Sequence, residues 1–175
     1  MATGLIESNQ VKNVLLLTAE TYSKYIHPDD NSVRPLFGDG ATATLITAVD
    51  TETEGIFGIT YGTDGSGGKN LIVPVGGMRH PYAVTEVEDV HDDYGNHRTN
   101  RNLYMGGSAI MHFTLENIPG MVEEILGKTG LKREDVDYYV FHQANHFMLK
   151  FLQEKCELTG YSYWNDVRNY GNTVS

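Results

Sequence analysis

The segment Tyr138-Tyr139-Val140-Phe141-His142-Gln143-Ala144-Asn145 constrains this chain more than any other. A short aromatic and β-branched run ends in a histidine, and a new amphipathic segment opens at an asparagine. The run reads as a buried strand, because strand-forming apolar residues follow one another without helical spacing. Beyond it, Phe147, Leu149, Phe151, Leu152 and Leu158 recur at roughly helical intervals, which predicts a helix from Asn145 to about Leu158. Asn145 is a good N-cap, since its side-chain oxygen can accept from an otherwise unpaired N–H of the first turn. His142 therefore falls where a strand gives way to a helix, the edge at which open α/β sheets bind ligands. Taken alone, a histidine in such a place is more often structural than catalytic.

The remaining elements follow from the same periodicities. Met1 to Ile6 read as the end of a helix and Val14 to Thr18 as a buried parallel strand. His27-Pro28-Asp29-Asp30 has turn chemistry. Phe37-Gly38-Asp39-Gly40 looks superficially like a phosphate cradle, but no P-loop helix follows it. The better reading is a tight turn in which Asp39 accepts hydrogen bonds from backbone amides near the active site. Ala41 to Val49 and Ile56 to Tyr61 read as further strands, Gly62 to Gly68 as a flexible loop, and Leu71 to Val75 as a short extended piece. Met105 to Gly127 is the clearest helix, with Pro119 expected to kink it or end a first segment. Lys128 to Asp137 reads as a turn, and Asp166-Val167-Arg168 as extended.

Composition narrows the function classes. A chain of 175 residues can bury a real core. Its formal net charge of −10 argues against a nucleic-acid or anionic-membrane partner. A single cysteine, Cys156, excludes an internal disulfide and fits a reducing, cytoplasmic setting. The longest aliphatic run, Val14-Leu15-Leu16-Leu17, is far too short to span a bilayer. Between Gly76 and Asn102 periodicity is lost. Glu86, Glu88, Asp89, His91, Asp92, Asp93 and His97 there lack a fixed ligand spacing, so the reading is a solvated loop and no metal site.

Three motifs in order give the chain a resemblance. His142-Gln143-Ala144-Asn145 after a strand, Gly171-Asn172-Thr173 downstream, and Phe37-Gly38-Asp39-Gly40-Ala41 upstream together resemble β-ketoacyl-acyl carrier protein synthase III, a thiolase-fold condensing enzyme. The implied class is α/β, a thiolase-like layered α/β/α/β/α fold present as an incomplete portion. Residues 1–103 would be the end of the first half plus an entrance loop, and residues 104–175 the start of the second half. The family's nucleophilic cysteine would fall just upstream of Met1, so the chain is expected to be a fragment inactive by itself. Cys156, deep in the helix after His142, reads as a core thiol and not as a replacement.

The resemblance also implies roles. Such an enzyme moves an acyl group from coenzyme A to a cysteine, then decarboxylates malonyl-acyl carrier protein and joins the two in fatty acid biosynthesis, with no bound cofactor. His142 and Asn172 would donate to the developing thioester oxyanion without a fixed positive charge. Gln143 and Asn145 would hold the loop and cap the helix or meet substrate or carrier, while Met105 and Gly107 resemble the family's Met-x-Gly entry and would line the acyl tunnel. Two departures stand out. Asn31 replaces an arginine that helps hold coenzyme A, and Phe147 replaces one that meets the acidic carrier, leaving Lys150, Lys155 and Arg168 as alternative cations. A homodimer is expected. Two other readings stay open: a coenzyme A-linked thiolase-fold acyltransferase of polyketide or surface-lipid synthesis, and a non-catalytic dimerising module.

Overall fold

The apolar positions Ile110, Met111, Leu115, Ile118, Val122 and Leu126 form one stripe at helical spacing, and the chain uses that stripe as its spine. The computed structural model describes residues 1–50 and 55–174. In chain order it has α1 (Ala2–Glu7), β1 (Asn13–Glu20), β2 (Gly40–Thr47), β3 (Leu71–Ile72), β4 (Asp89–His91), β5 (His97–Thr99), β6 (Tyr104–Met105), α2 (Gly107–Thr129), α3 (His146–Lys155) and α4 (Val167–Tyr170), with short 3-10 turns between. The strands pair as three antiparallel two-stranded ladders, β1 with β2, β3 with β6 and β4 with β5.

The core lies where α2 meets α3. Val122, Leu126, Tyr139, Met148, Leu152, Cys156 and Leu158 are buried together, flanked by Ile110, Leu115, Ile118 and Phe141. α2 runs unbroken through Pro119, contrary to the expected kink or break. Proline removes one intrahelical hydrogen bond, but apolar side chains on both sides of Pro119 are anchored in the same core, and this packing holds the helix continuous. Asn145 caps α3 as expected, its Oδ1 accepting from the Met148 N–H at 2.8 Å.

Other expectations fail for identifiable reasons. β1 is neither parallel nor buried: it pairs antiparallel with β2 in register Leu15 to Leu45, and Leu17 is 65% and Leu45 64% exposed. An apolar run is compatible with burial but cannot supply the layers that would bury it. Tyr138 to Phe141 is not a strand of a sheet; Tyr139 makes an isolated parallel bridge with Tyr163, and Val140 is 70% exposed. Its ladder stops there, with the Tyr139 N–H donating to the Ser162 carbonyl and the Trp164 N–H to the Tyr139 carbonyl. Ile56 to Tyr61 joins no ladder among the described residues. Gly62 to Gly68 gives way to a 3-10 turn, Gly65–Asn70, capped by Asp64. Residues 166–168 are not extended either: Val167 begins α4, and its buried side chain anchors that turn.

The segment between Gly76 and Asn102 is more ordered than a solvated loop. It folds into the β4–β5 hairpin, which docks on the loop after β1 through His97 N–H to the Asp29 carbonyl and Asn31 N–H to Asn96 Oδ1. Buried Asp30 faces the Arg98 guanidinium at 3.6 Å, an ion pair too long for a hydrogen bond, and its other oxygen accepts from the Ser32 N–H. Three-residue strands carry too little alternation to be seen in sequence.

Candidate active site

Two glycine-bearing motifs far apart in sequence interlock backbone to backbone. The Asn172 N–H donates to the Leu36 carbonyl at 2.7 Å, and the Gly38 N–H donates to the Asn172 carbonyl at 2.9 Å, a parallel bridge between Phe37 and Asn172. Such proximity requires the glycines. A Cβ on Gly38 would overlap the Tyr170 carbonyl oxygen, and one on Gly171 would lie 2.9 Å from the Leu36 carbonyl oxygen. Gly171 also holds φ of 70°, a left-handed value that side chains resist.

This junction fixes Asn172. Its residue is only 9% exposed, and its Oδ1 accepts from the Val174 N–H at 3.0 Å. With the carbonyl end so engaged, the amide is oriented with Nδ2 as a donor; no hydrogen bond from Nδ2 is seen among the described residues. Asp39 anchors the other side of the motif. Its carboxylate accepts from the Ser23 N–H at 2.9 Å and the Ser23 hydroxyl at 2.5 Å, and those two bonds, with Lys24 nearby, hold its pKa below the usual carboxylate value. The turn reading of Phe37 to Gly40 therefore stands in part: Asp39 takes a backbone amide, while the motif itself is a bridge against Asn172.

His142 sits on the loop between the Tyr139 bridge and α3, where the Ala144 N–H closes on its carbonyl at 2.9 Å. The residue is exposed, and no hydrogen bond from its ring is seen among the described residues. The protein packed behind the ring nonetheless desolvates it and lowers its pKa from the ordinary 6.5. At neutral pH the ring is the uncharged imidazole, with one N–H to donate.

Gln143 makes the loop rigid. Its Oε1 accepts from the Asp166 N–H at 2.9 Å, and its Nε2 donates to the Phe141 and Trp164 carbonyls at 3.0 and 3.3 Å. These bonds tie the His142 loop to the segment that leads, through α4, into Gly171-Asn172. Asn145 is occupied with its cap. Next to it, Asn165 Nδ2 meets His146 Nδ1 at 3.0 Å, a second tie between the same two segments. A cavity of about 410 Å³ opens where they meet, lined by Pro35, Leu36, Ala144, Asn145, Val167 and Arg168 among others. Residues from all three motif regions thus share one cavity, although His142 and Asn172 do not themselves line it.

Met105 and Gly107 lie elsewhere. Met105 pairs with Leu71 in the β3–β6 ladder and Gly107 begins α2; neither contacts the loops that carry His142 and Asn172 among the described hydrogen bonds and cavities. Cys156 is buried at 1% exposure inside the α2–α3 core, and burial raises its thiol pKa. It is a packing residue, as the sequence implies. Gly38 and Gly171 stood in the motifs read from the sequence, but their role in letting the two backbones meet, and the part played by the Leu36 carbonyl, escaped that reading. Which backbone each glycine admits is a tertiary fact.

Comparisons with known proteins agree with this geometry. Family models match at both ends, 3-oxoacyl-[acyl-carrier-protein (ACP)] synthase III over residues 1–65 and 3-oxoacyl-[acyl-carrier-protein (ACP)] synthase III C terminal over residues 126–175. The β-ketoacyl-[acyl-carrier-protein] synthase III of Caldanaerobacter subterraneus subsp. tengcongensis is 33% identical over 99% of this chain and 49% of its own length. A 3-oxoacyl-(acyl-carrier-protein) synthase III crystal structure superposes with a TM-score of 0.95 at 45% identity, covering 99% of this chain and 52% of that one. The 3-oxoacyl-(acyl-carrier protein) synthase of Burkholderia xenovorans LB400 gives 0.79 at 33%, covering 97% and 46%. The chain spans about half the length of the curated relatives it matches. Its α/β fold is the thiolase-like one of these structures. With both family models in place at the two ends that the interlocked backbone joins, the chain belongs to the 3-oxoacyl-acyl carrier protein synthase III family.

Proposed function

We propose that this chain supplies the decarboxylation half of a Claisen condensation between an acyl-coenzyme A and malonyl-acyl carrier protein, in cytoplasmic fatty acid biosynthesis. Loss of carbon dioxide from a malonyl thioester leaves an enolate whose negative charge resides on the thioester oxygen. Hydrogen-bond donors fixed in advance around that oxygen lower the barrier, because no dipoles have to reorient as charge develops. His142 Nε2–H and Asn172 Nδ2–H are the two donors. Neither is cationic, so the enolate is stabilised without being trapped and can attack the waiting acyl group. The acyl group itself is carried by a thiolate other than Cys156, whose burial keeps it protonated and out of reach.

The observation that carries this reading is the orientation of Asn172, whose Oδ1 is held by the Val174 N–H while the motif backbone is bolted to Leu36 and Gly38. The depressed pKa of His142 supports the same role by keeping the ring neutral. Carrier binding falls to the exposed cations Lys150, Lys155 and Arg168, beside exposed Phe147. The bare apolar faces of β1 and β2 fit coverage by the rest of the enzyme or a second subunit in a homodimer. In the enzyme that carries this chain, His142→Ala and Asn172→Ala should each slow malonyl-thioester decarboxylation by about 10²–10³-fold. Unchanged decarboxylation in either variant contradicts the assignment. Lys150→Glu should raise KM for carrier protein while leaving turnover at saturation intact.

A further inference from the structure

A cluster of side chains outside the proposed active site has the chemistry of a metal centre. The hairpin β4–β5 places His97 against the turn that carries His27 and Asp29. His27 and His97 rings are 4.4 Å apart, and His91 stacks on the other side of His97 at 4.4 Å. His97 Nδ1 is 3.8 Å and His27 Nδ1 4.0 Å from Asp29 Oδ2, and one ligand atom of each of the three residues lies within 4.8 Å of the other two.

The hydrogen bonds around the cluster assign its protons. His97 Nε2 meets Asp89 Oδ1 at 2.8 Å, and a carboxylate only accepts, so the neutral ring carries its proton on Nε2 and leaves Nδ1 bare. His27 Nδ1 is also unprotonated, and its lone pair accepts from the Asp29 N–H at 3.2 Å, a long bond that an entering ion would displace. Two unprotonated imidazole nitrogens and a carboxylate oxygen therefore lie close together, with the Asp29 N–H directed at one of them, His27 Nδ1. A cation placed among them would neutralise the carboxylate and take the lone pair of each ring. The Asp89–His97 contact is also the outer-shell pattern that orients a ligating histidine and raises its basicity.

We infer that His27 Nδ1, His97 Nδ1 and Asp29 Oδ2 form a site for a borderline transition-metal dication of the zinc class, completed by water. Imidazole and carboxylate donors suit zinc or cobalt better than magnesium or calcium, which prefer oxygen alone. Zinc bonds of about 2.0–2.2 Å in a tetrahedron place ligand atoms roughly 3.3 Å apart, so the two rings must draw together and the cluster must contract, the 3.8 and 4.0 Å separations from Asp29 Oδ2 each shortening by about 0.5–0.7 Å. Asp29, with 70% of its side chain exposed, has the freedom to do so. One element holds His97 and another holds His27 and Asp29, so the ion would clamp the hairpin to the loop after β1. Sequence spacing within Gly76 to Asn102 missed it because two of the three ligands lie outside that segment.

The test is calorimetric titration of the purified protein with zinc chloride, paralleled by visible absorption on adding cobalt(II). One ion per chain and tetrahedral cobalt bands are expected, with a rise in melting temperature on adding zinc. His97→Ala and Asp29→Asn should each weaken affinity at least about tenfold, and Asp89→Asn about 10–100-fold through loss of the outer-shell bond. His142→Ala should bind zinc unchanged, which separates this site from the proposed oxyanion donors. Binding absent at millimolar zinc, or binding that survives His97→Ala and Asp29→Asn, overturns the inference. Octahedral cobalt spectra with unchanged affinity in all four variants also overturn it.

Discussion

The α2–α3 core and the β1–β2 ribbon both present apolar side chains in sequence and meet opposite fates. Leu152 on α3 is 4% exposed within that core, while Leu17 on β1 is 65% exposed. α3 closes on α2 and on the bridge between Tyr139 and Tyr163, so its Met148 and Leu152 side chains meet another layer, while Phe147 faces outward. The ribbon has a partner only along its edge, in the β1–β2 ladder, and no layer among the described residues covers its Leu15 and Leu17 positions. Hydrophobic pattern tells a segment which side chains it would bury. It does not say whether the covering surface belongs to the same stretch of chain.

The largest expected effect tests that contrast directly. Leu152→Ala should cost about 2–5 kcal/mol in urea unfolding, the range for deleting a buried aliphatic side chain. Leu17→Ala should stay within about 0.5 kcal/mol, as for an exposed substitution. Equal losses would mean that the ribbon is covered as fully as the core. Next in size is Gly38→Ala, which drives a methyl group into the Tyr170 carbonyl and should cost about 1–3 kcal/mol by the same measurement. A neutral result would show that the two motifs are not packed backbone to backbone. Asn145→Ala removes the α3 cap and should cost about 1 kcal/mol, placing the His142 loop on the stable side of the comparison.

The smallest effect concerns pH. Because the folded protein lowers the His142 pKa, the unfolded chain binds its proton first on acidification. The contribution is therefore complete above about 6.5, the unfolded value, and fades as pH falls through the depressed folded value. In His142→Gln the stability profile should be flatter across that window. A profile of unchanged slope would mean that the ring is not desolvated.

These contrasts also show what could be read from the chain alone. The Asn145 cap, α3 and the core position of Cys156 were legible because each depends on neighbours a few residues away. The turn at His27 to Asp30 was legible for the same reason: its N–H to carbonyl closure, Asp30 to His27, is local. Burial of Val14 to Thr18 was misread, since it depends on a covering layer. The strand expected at Tyr138 to Phe141 shrank to one bridge because its only partner is the short stretch around Tyr163. Within the site, Asn172 and His142 were recognisable as motif residues. The interlock of Leu36, Gly38 and Gly171 was not, because hydrogen bonds between residues so distant in sequence leave no periodic trace.

A double-mutant cycle on His142 and Asn172, read as malonyl-thioester decarboxylation by the enzyme that carries this chain, tests the proposed shared role most directly. Two donors serving one oxyanion predict strong non-additivity, with the double variant about as slow as the slower single variant. Fully additive losses, or a single variant with normal rate, would contradict the account.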